Sequence, residues 1–150
     1  MFYSEKPENF IKKIALLFFC VISFAGCTSG FISLTMPSGD KIKAKPAVAA
    51  DEFAKGLSGI DRLDGYDAMF FMKDKAERVC FWMKDMRFPL DIIYLDEKKQ
   101  AQEIFPNLTP CLDGQECAPY CSHSDSIKYI LEIPAGASEK YAIQPNSMIK

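Results

Sequence analysis

The sequence predicts a mainly β protein, either a sandwich or a barrel, with one or two short helices. Short apolar or alternating segments recur at intervals of roughly ten residues, which is typical of strands in these folds. Residues that favour turns separate these segments, and no long amphipathic helical pattern occurs. A chain of 150 residues, once its front end is set aside, is sufficient for one domain.

The first elements follow from alternation and turn chemistry. The segments FISLTM and KIKAK predict two strands, because PSGD between them has the composition of a tight turn. ADEFAKGLSG predicts a short helix that ends at Gly56. After a loop, AMFFM predicts another short strand, and KDKAE predicts a turn.

The second half of the chain continues the β pattern. RVCFWMK, LDIIYLD and AQEIF predict three strands, and SIKYILEIP predicts a fourth after a cysteine-rich loop. AGASEKYAI predicts a helical turn, and NSMIK a last strand. Both faces of VCFWMK and LDIIYLD carry apolar residues. We therefore expect both faces of the central sheet to be covered.

Residues 1–26 have the pattern of a lipoprotein signal peptide. A pair of lysines precedes an apolar run of about 12 residues, which is shorter than the roughly 20 residues of a spanning helix. Cys27 follows in SFAGC, which resembles the lipobox in which the cysteine becomes acylated. We expect acyl chains on Cys27 to hold the protein at a membrane of the cell envelope, facing the periplasm or the exterior. An anchor that is never cleaved is the alternative.

Residues 27–40 are then the tether and the start of the first strand, and residues 41–150 form the β domain. Four cysteines remain in the mature chain, and an oxidising compartment favours disulfides among them, with three possible pairings. Cys111 and Cys117 flank an Asp-Gly turn, so we favour this pair. The alternative is a zinc site, although the spacing is looser than in most structural zinc sites. Its ligands would be Cys111, Cys117, Cys121 and His123.

Charged residues interrupt the apolar strands near the only tryptophan. The candidate cluster consists of Trp82, Lys84, Asp85, Asp91 and Glu132. In a structural interpretation, Lys84 pairs with Asp91 or Glu132 and fixes the loop at Pro89. In a functional interpretation, the tryptophan is an apolar platform and the charged groups orient a glycan, a peptide or an envelope protein in a shallow groove.

Composition and motifs limit the possible functions. The net charge is −2 and the lysines are scattered, so no basic face for nucleic acid is predicted. No phosphate loop, nucleophile elbow or metalloprotease motif occurs, and we expect no cofactor and no metal. A binding or accessory module is favoured. The alternative is a hydrolase that acts on envelope glycan with two carboxylates from Asp85, Asp91 and Glu132.

Three blocks of the sequence resemble the family DUF192. They are AKGLSG, then DAMFFM with VCFWMKDMRFPLDIIYLD, and finally PC, CAPY and YILEIPAG. The resemblance covers roughly residues 41–150. It implies a compact antiparallel β-sandwich, jelly-roll-like and often exported, and it implies no established activity. The chain has Asp85-Met86 where the family usually has Asn-Thr, and Ala68 and Asn146 where glycine is common.

Overall fold

A computed structural model describes residues 30–111, 114 and 116–150 of the chain. The predicted signal peptide, residues 1–26, and the predicted lipidation site Cys27 lie outside these residues. Within the part that the structure describes, no helix is both long enough and apolar enough to cross a membrane.

The described chain forms eight strands and two short helices, which confirms the mainly β class. In order, they are β1 (Ile32–Thr35), β2 (Lys41–Ala47), α1 (Ala50–Lys55), β3 (Ala68–Glu77), β4 (Cys80–Phe81), β5 (Leu90–Leu95), β6 (Ala101–Leu108), β7 (Tyr120–Cys121), β8 (Ile127–Pro134) and α2 (Ala137–Lys140).

Six strands form one sheet in the order β1-β2-β3-β8-β5-β6, and β4 pairs with β7 in a small second sheet. Neighbouring strands are antiparallel except β2 and β3, which are parallel. This pair departs from the antiparallel sheet that the sequence predicts. The connection that contains α1 is the cause, because it returns the chain so that β3 runs in the same direction as β2.

At β5 both faces of the large sheet are buried, as the sequence predicts, since all six residues of this strand are buried. In β2, by contrast, exposed and buried residues mostly alternate. On the first face, Ile143 and Ile149 of the C-terminal segment cover the sheet. On the second face, the small sheet packs across the core, with the rings of Phe81 and Phe71 4.9 Å apart between centroids. The two sheets therefore enclose the core on the second face, as in a β-sandwich, and the C-terminal segment covers a second apolar cluster on the first face.

Three predicted elements differ in extent. KDKAE is not a turn but the end of β3, because β8 continues to pair with it as far as Glu77, across a register shift. RVCFWMK contributes only Cys80–Phe81 to a strand, since Val79 and Met83 beside it turn into the core. The last predicted strand, NSMIK, forms only one bridge, between Met148 and Gln100.

The first helix ends where the sequence predicts. Before its first turn, the Glu52 carboxylate accepts hydrogen bonds from the N–H groups of Val48 (2.8 Å) and Ala49 (2.9 Å). These bonds lower the pKa of Glu52. At the other end of the helix, Gly56 has a φ of +49°, a backbone conformation that residues with a Cβ atom rarely adopt. The chain consequently leaves the helix in a sharp turn that leads into the candidate site.

Candidate functional site

A cavity of about 580 Å³ lies between α1 and the small sheet, on the second face of the large sheet. We call it the Glu132 pocket, because Glu132 is the only carboxylate among the described residues that line it. Trp82 and Lys84 of the predicted cluster line it as well, whereas Asp85 and Asp91 do not. Apolar side chains and half-cystines form most of the remaining wall, including Phe53, Leu57, Val79, Cys80, Phe81, Met86, Cys117 and Pro119.

Strand β8 places Glu132 on the second face of the sheet, beside Met69 of β3 and Ile92 of β5. The residue is only 5% exposed. Its Oε2 atom is fully buried and has no hydrogen-bond partner among the described residues. Burial raises the pKa of Glu132 from 4.5 to about 8. The carboxyl group therefore retains its proton at neutral pH in the free protein.

The turn after α1 approaches this carboxyl group closely. A Cβ atom added to Gly56 would lie 3.8 Å from Glu132 Oε2 and 3.5 Å from Phe71 Cζ. The turn is also tied to the opposite wall of the pocket, because Ser58 donates a hydrogen bond to the Lys84 carbonyl at 3.0 Å. The helix end and the loop that follows β4 therefore form two connected sides of one site.

Aromatic rings and lysines surround the mouth of the pocket. Trp82 is 58% exposed, and Lys84 Nζ lies 5.8 Å from the centre of its ring. Lys73 Nζ lies 5.3 Å from the centre of the Phe53 ring and 2.6 Å from Glu77 Oε1. Lys73 is therefore neutralised within the chain, whereas Lys84 is an exposed cation over an exposed ring.

Asp91 does not pair with Lys84, which corrects the predicted ion pair. Asp91 is fully buried and accepts four hydrogen bonds from the chain. One oxygen accepts the N–H groups of Asn107 (2.7 Å) and Gly136 (3.2 Å), and the other accepts the N–H (2.8 Å) and hydroxyl (2.7 Å) of Ser138. Asp91 thus joins the end of β6 to the start of α2, and its role is structural.

The sheet register explains why Asp91 and Glu132 do not act together. Asp91 lies opposite Ile133 on β8, and Glu132 lies opposite Ile92 on β5. Because successive residues of a strand point to opposite faces, the two carboxylates are on opposite sides of the sheet. Asp85 is exposed and outside the pocket. Asp91 and Glu132 are therefore not brought together as the two carboxylates of a glycoside hydrolase.

The four cysteines within the described residues form two disulfides. Cys111 is joined to Cys117, the pair favoured from the sequence, and Cys80 is joined to Cys121 directly across β4 and β7. The zinc alternative is wrong, because its three thiolates are absent from this oxidised protein. The fourth proposed ligand, His123, has its Nδ1 2.7 Å from a Glu103 oxygen. Disulfides of this kind indicate an oxidising environment outside the cytoplasm.

Several residues of the pocket were not among the predicted site residues. Phe53 belongs to the predicted helix, and Phe81 and Met86 flank Trp82 in the quoted central block. The signal that could have found them is the density of aromatic and sulfur-containing side chains around a helix end and a short strand. This density alone does not distinguish a pocket from a core, because the same side chains equally predict an ordinary core.

A second cavity of about 670 Å³ lies beside α2. Its lining includes the polar residues Arg62, Asp67 and Lys140 and the rings of Tyr66 and Tyr141. None of the buried polar side chains found in the described chain lines this cavity. The Glu132 pocket is therefore the stronger candidate, since it combines an apolar wall with a buried polar group.

The domain is similar to a known protein family and to solved structures. The model of DUF192, described as an uncharacterized ACR, matches residues 33–150. A crystal structure of a protein of unknown function from Novosphingobium aromaticivorans is 24% identical, with a TM-score of 0.71 over 80% of this chain and 84% of that one. No curated protein matches the sequence.

A second similar crystal structure is that of a putative transcription regulator from Sinorhizobium meliloti. It is 22% identical, with a TM-score of 0.68, and the alignment covers 79% of this chain and 89% of that one. At this level of identity, both structures support the fold alone.

Proposed function

The chain belongs to the DUF192 family, and we propose that it is an exported lipoprotein whose domain binds a small ligand in the Glu132 pocket without catalysis. Binding at the surface of a membrane is the function that best accounts for the site. The proposal has two parts, a ligand site in the domain and a lipid anchor before it.

The buried carboxyl group of Glu132 is the observation that carries the ligand site. Burying a polar group without a hydrogen bond costs on the order of 1–3 kcal/mol, and most buried polar atoms have a partner. Oε2 of Glu132 has none among the described residues, although it lines a cavity whose walls are mainly apolar. A ligand that fills the pocket and bonds to this oxygen would offset the cost.

The surroundings of Glu132 support binding rather than turnover. Acid–base catalysis by carboxylates usually needs a second titratable group near the first. In the described lining of the pocket, the other charged groups are the lysines Lys55, Lys73 and Lys84, and Lys73 is paired with Glu77. A single protonated carboxyl group between aromatic rings can orient a ligand, which is the usual role of the few polar groups in such a pocket.

Export and anchoring are supported by the disulfides and by the N-terminal pattern. Cys27 in SFAGC is the expected acylation site. Replacing Cys27 by Ala should move the protein from the membrane fraction to the soluble or unprocessed fraction, as measured by fractionation and by the mass of the N-terminal peptide. A Cys27→Ala protein that is processed and retained like the parent would contradict the anchor.

The ligand site can be tested with the chain's own reporter. Trp82 is the only tryptophan, so its fluorescence reports on the mouth of the pocket. We expect at least one compound from a panel of small cations, anions, neutral amides and sugars to change this emission in the full chain. Calorimetry should show that Trp82→Ala weakens the binding of that compound by about tenfold, equivalent to about 1.4 kcal/mol.

Phe31→Ala is the matched control for this experiment. Phe31 is a large apolar residue that is 46% exposed, and it lies outside the lining of the pocket. Its replacement should leave the affinity unchanged. The proposal of a ligand site is wrong if no class of compound binds the folded protein, or if Phe31→Ala and Trp82→Ala weaken binding equally.

A further inference from the structure

The Glu132 pocket offers an acidic group that no other part of the described chain engages. Building on the proposed function, we propose that the ligand is a small organic cation, an ammonium or guanidinium group on an apolar stem, whose charged group bonds to the Glu132 carboxylate.

The groups that could act as partners for Glu132 are directed elsewhere. Lys73 of β3 is paired with Glu77, with 2.6 Å between Nζ and Oε1. Tyr94 of β5 donates its hydroxyl hydrogen to the Tyr120 carbonyl at 2.5 Å. Neither side chain therefore supplies a hydrogen bond to the buried carboxyl oxygen.

The two remaining lysines of the lining lie at the surface. Lys55 at the end of α1 and Lys84 in the loop after β4 are both exposed. Burial is the cause of the raised pKa of Glu132, and no nearby cation among the described residues lowers it. The counterion that would ionise this carboxyl group must therefore come from outside the described chain, and a cationic ligand supplies it.

The walls suit a cation on an apolar stem. The rings of Phe53, Phe81 and Trp82 line the cavity. Aromatic faces attract ammonium and guanidinium groups, and the attraction is stronger where water is excluded. A hydrogen bond between such a cation and a carboxylate is shorter and stronger than one between neutral groups. Lys55 and Lys84 at the mouth would repel a second positive charge, so we expect monocations to be preferred.

Other ligand classes fit the site less well. An anion would find its lysine partners only at the exposed mouth, and Glu132 would repel it once the pH exceeds about 8 and the carboxyl group ionises. A neutral amide could pair with the protonated carboxyl group, but it would lose this hydrogen-bond donor as the pH rises above about 8 and Glu132 ionises. A cationic ligand and a neutral amide therefore differ in the direction in which their affinity for the pocket changes with pH.

The exchange of protons gives that direction. Free Glu132 holds a proton at neutral pH, and binding of the cation leaves a carboxylate–cation pair and releases one proton to solvent. The affinity should therefore rise by up to about tenfold per pH unit as the pH approaches 8, and level off above it. An alkylammonium group keeps its charge over this interval, because amines of this kind titrate near 10.4.

Hexylammonium and 1-hexanol, which share the same stem, provide the test. Calorimetry of the full chain in nonionic detergent at neutral pH should show hexylammonium binding about tenfold or more tightly than hexanol, a difference of about 1.4 kcal/mol. Glu132→Gln should remove that advantage and the pH dependence, while hexanol binding stays unchanged. Thermal unfolding of Glu132→Gln shows whether the variant is folded.

The outcomes separate this inference from the proposed function. Three results would each contradict the proposal that the ligand is a cation. They are equal affinity for hexylammonium and hexanol, an unchanged affinity for hexylammonium in folded Glu132→Gln, and an affinity for hexylammonium that falls as the pH rises towards 8. If a neutral compound binds in a Trp82-dependent manner and hexylammonium does not, the binding function stands and the ligand class is wrong. If no compound of any class binds, both proposals are wrong.

Discussion

Two buried carboxylates on neighbouring strands, Asp91 and Glu132, have opposite surroundings. Asp91 of β5 accepts four hydrogen bonds from the chain, whereas the Oε2 atom of Glu132 on β8 has no partner among the described residues. Both residues are buried, with exposed fractions of 0% and 5%. Burial alone therefore does not show whether a carboxyl group stabilises the fold or binds a ligand. The hydrogen-bond partners of its oxygens distinguish the two roles.

The difference follows from the two faces of the sheet. On the first face, the N–H groups of Gly136 and Ser138 are directed at Asp91, so the protein itself stabilises the carboxylate. On the second face, rings and half-cystines surround Glu132 and leave a cavity beside it. We conclude that Asp91 contributes to stability, whereas the protein retains Glu132 at a cost to stability.

Replacing Asp91 should have the largest effect on stability. Asp91→Ala would leave the buried N–H of Ser138 and its neighbours without an acceptor, and each unsatisfied group costs about 1–3 kcal/mol. We expect a loss on the order of 3 kcal/mol or more in the free energy of unfolding, measured by urea denaturation. A loss below about 1 kcal/mol, as for an exposed site, would contradict the structural role.

The stability of the protein should depend on pH through the protonation of Glu132, in a defined direction. Its pKa is raised by burial from 4.5 to about 8, so the folded protein binds a proton that the unfolded chain releases between these values. The contribution is complete below pH 4.5 and is lost as the pH rises to about 8. The slope approaches about 1.4 kcal/mol per pH unit within that interval.

Glu132→Gln is the matched variant for this slope, because the amide has a similar shape and no charge. The stability of the parent relative to the variant should fall as the pH rises from about 5 to about 8, and then remain constant. Denaturation curves of both proteins at several pH values provide the measurement. A constant difference over the whole range would show that the pKa of Glu132 is the same in the folded and unfolded states, and would contradict the isolation of this carboxyl group.

Of the three charged residues, Lys84 should contribute least to the free energy of unfolding. It is exposed and forms no ion pair within the described part of the chain, so Lys84→Met should change stability by less than about 0.5 kcal/mol. In a double-mutant cycle, Lys84→Met and Asp91→Asn should be additive within about 0.5 kcal/mol, whereas Ser138→Ala and Asp91→Asn should couple. Coupling between Lys84 and Asp91 would indicate that the two residues interact, and would contradict their separation in the structure.

Much of the fold could be predicted from local patterns. Alternation predicts β2 and β8, and the turn chemistry of Gly56 predicts where α1 ends. The direction of β3 relative to β2 could not be predicted, because it depends on how the connection through α1 crosses the sheet. The Cys80–Cys121 disulfide depends likewise on pairing between β4 and β7, which are distant in the sequence.

The candidate site shows the same limit. The sequence identifies Lys84 and Glu132 as charged exceptions in apolar strands and Trp82 as a possible apolar platform, and all three line the pocket. It also groups Asp91 with them, because the charge stands out in an apolar strand. Only the register between β5 and β8 shows that Asp91 and Glu132 point to opposite faces. That register is a long-range property of the sheet, and residue types do not encode it locally.

The carboxyl resonance of Glu132 gives the most direct test of the account. An NMR titration of the full chain, with the signal assigned by its absence in Glu132→Gln, should show a transition near pH 8 in the free protein. Saturating hexylammonium should move that transition to lower pH, because the cation stabilises the carboxylate. Two results would contradict the claim that Glu132 is a buried acid without a partner and binds a cationic ligand. One is a transition near the usual 4.5 in the free protein, and the other is a transition whose midpoint does not change when the amine binds.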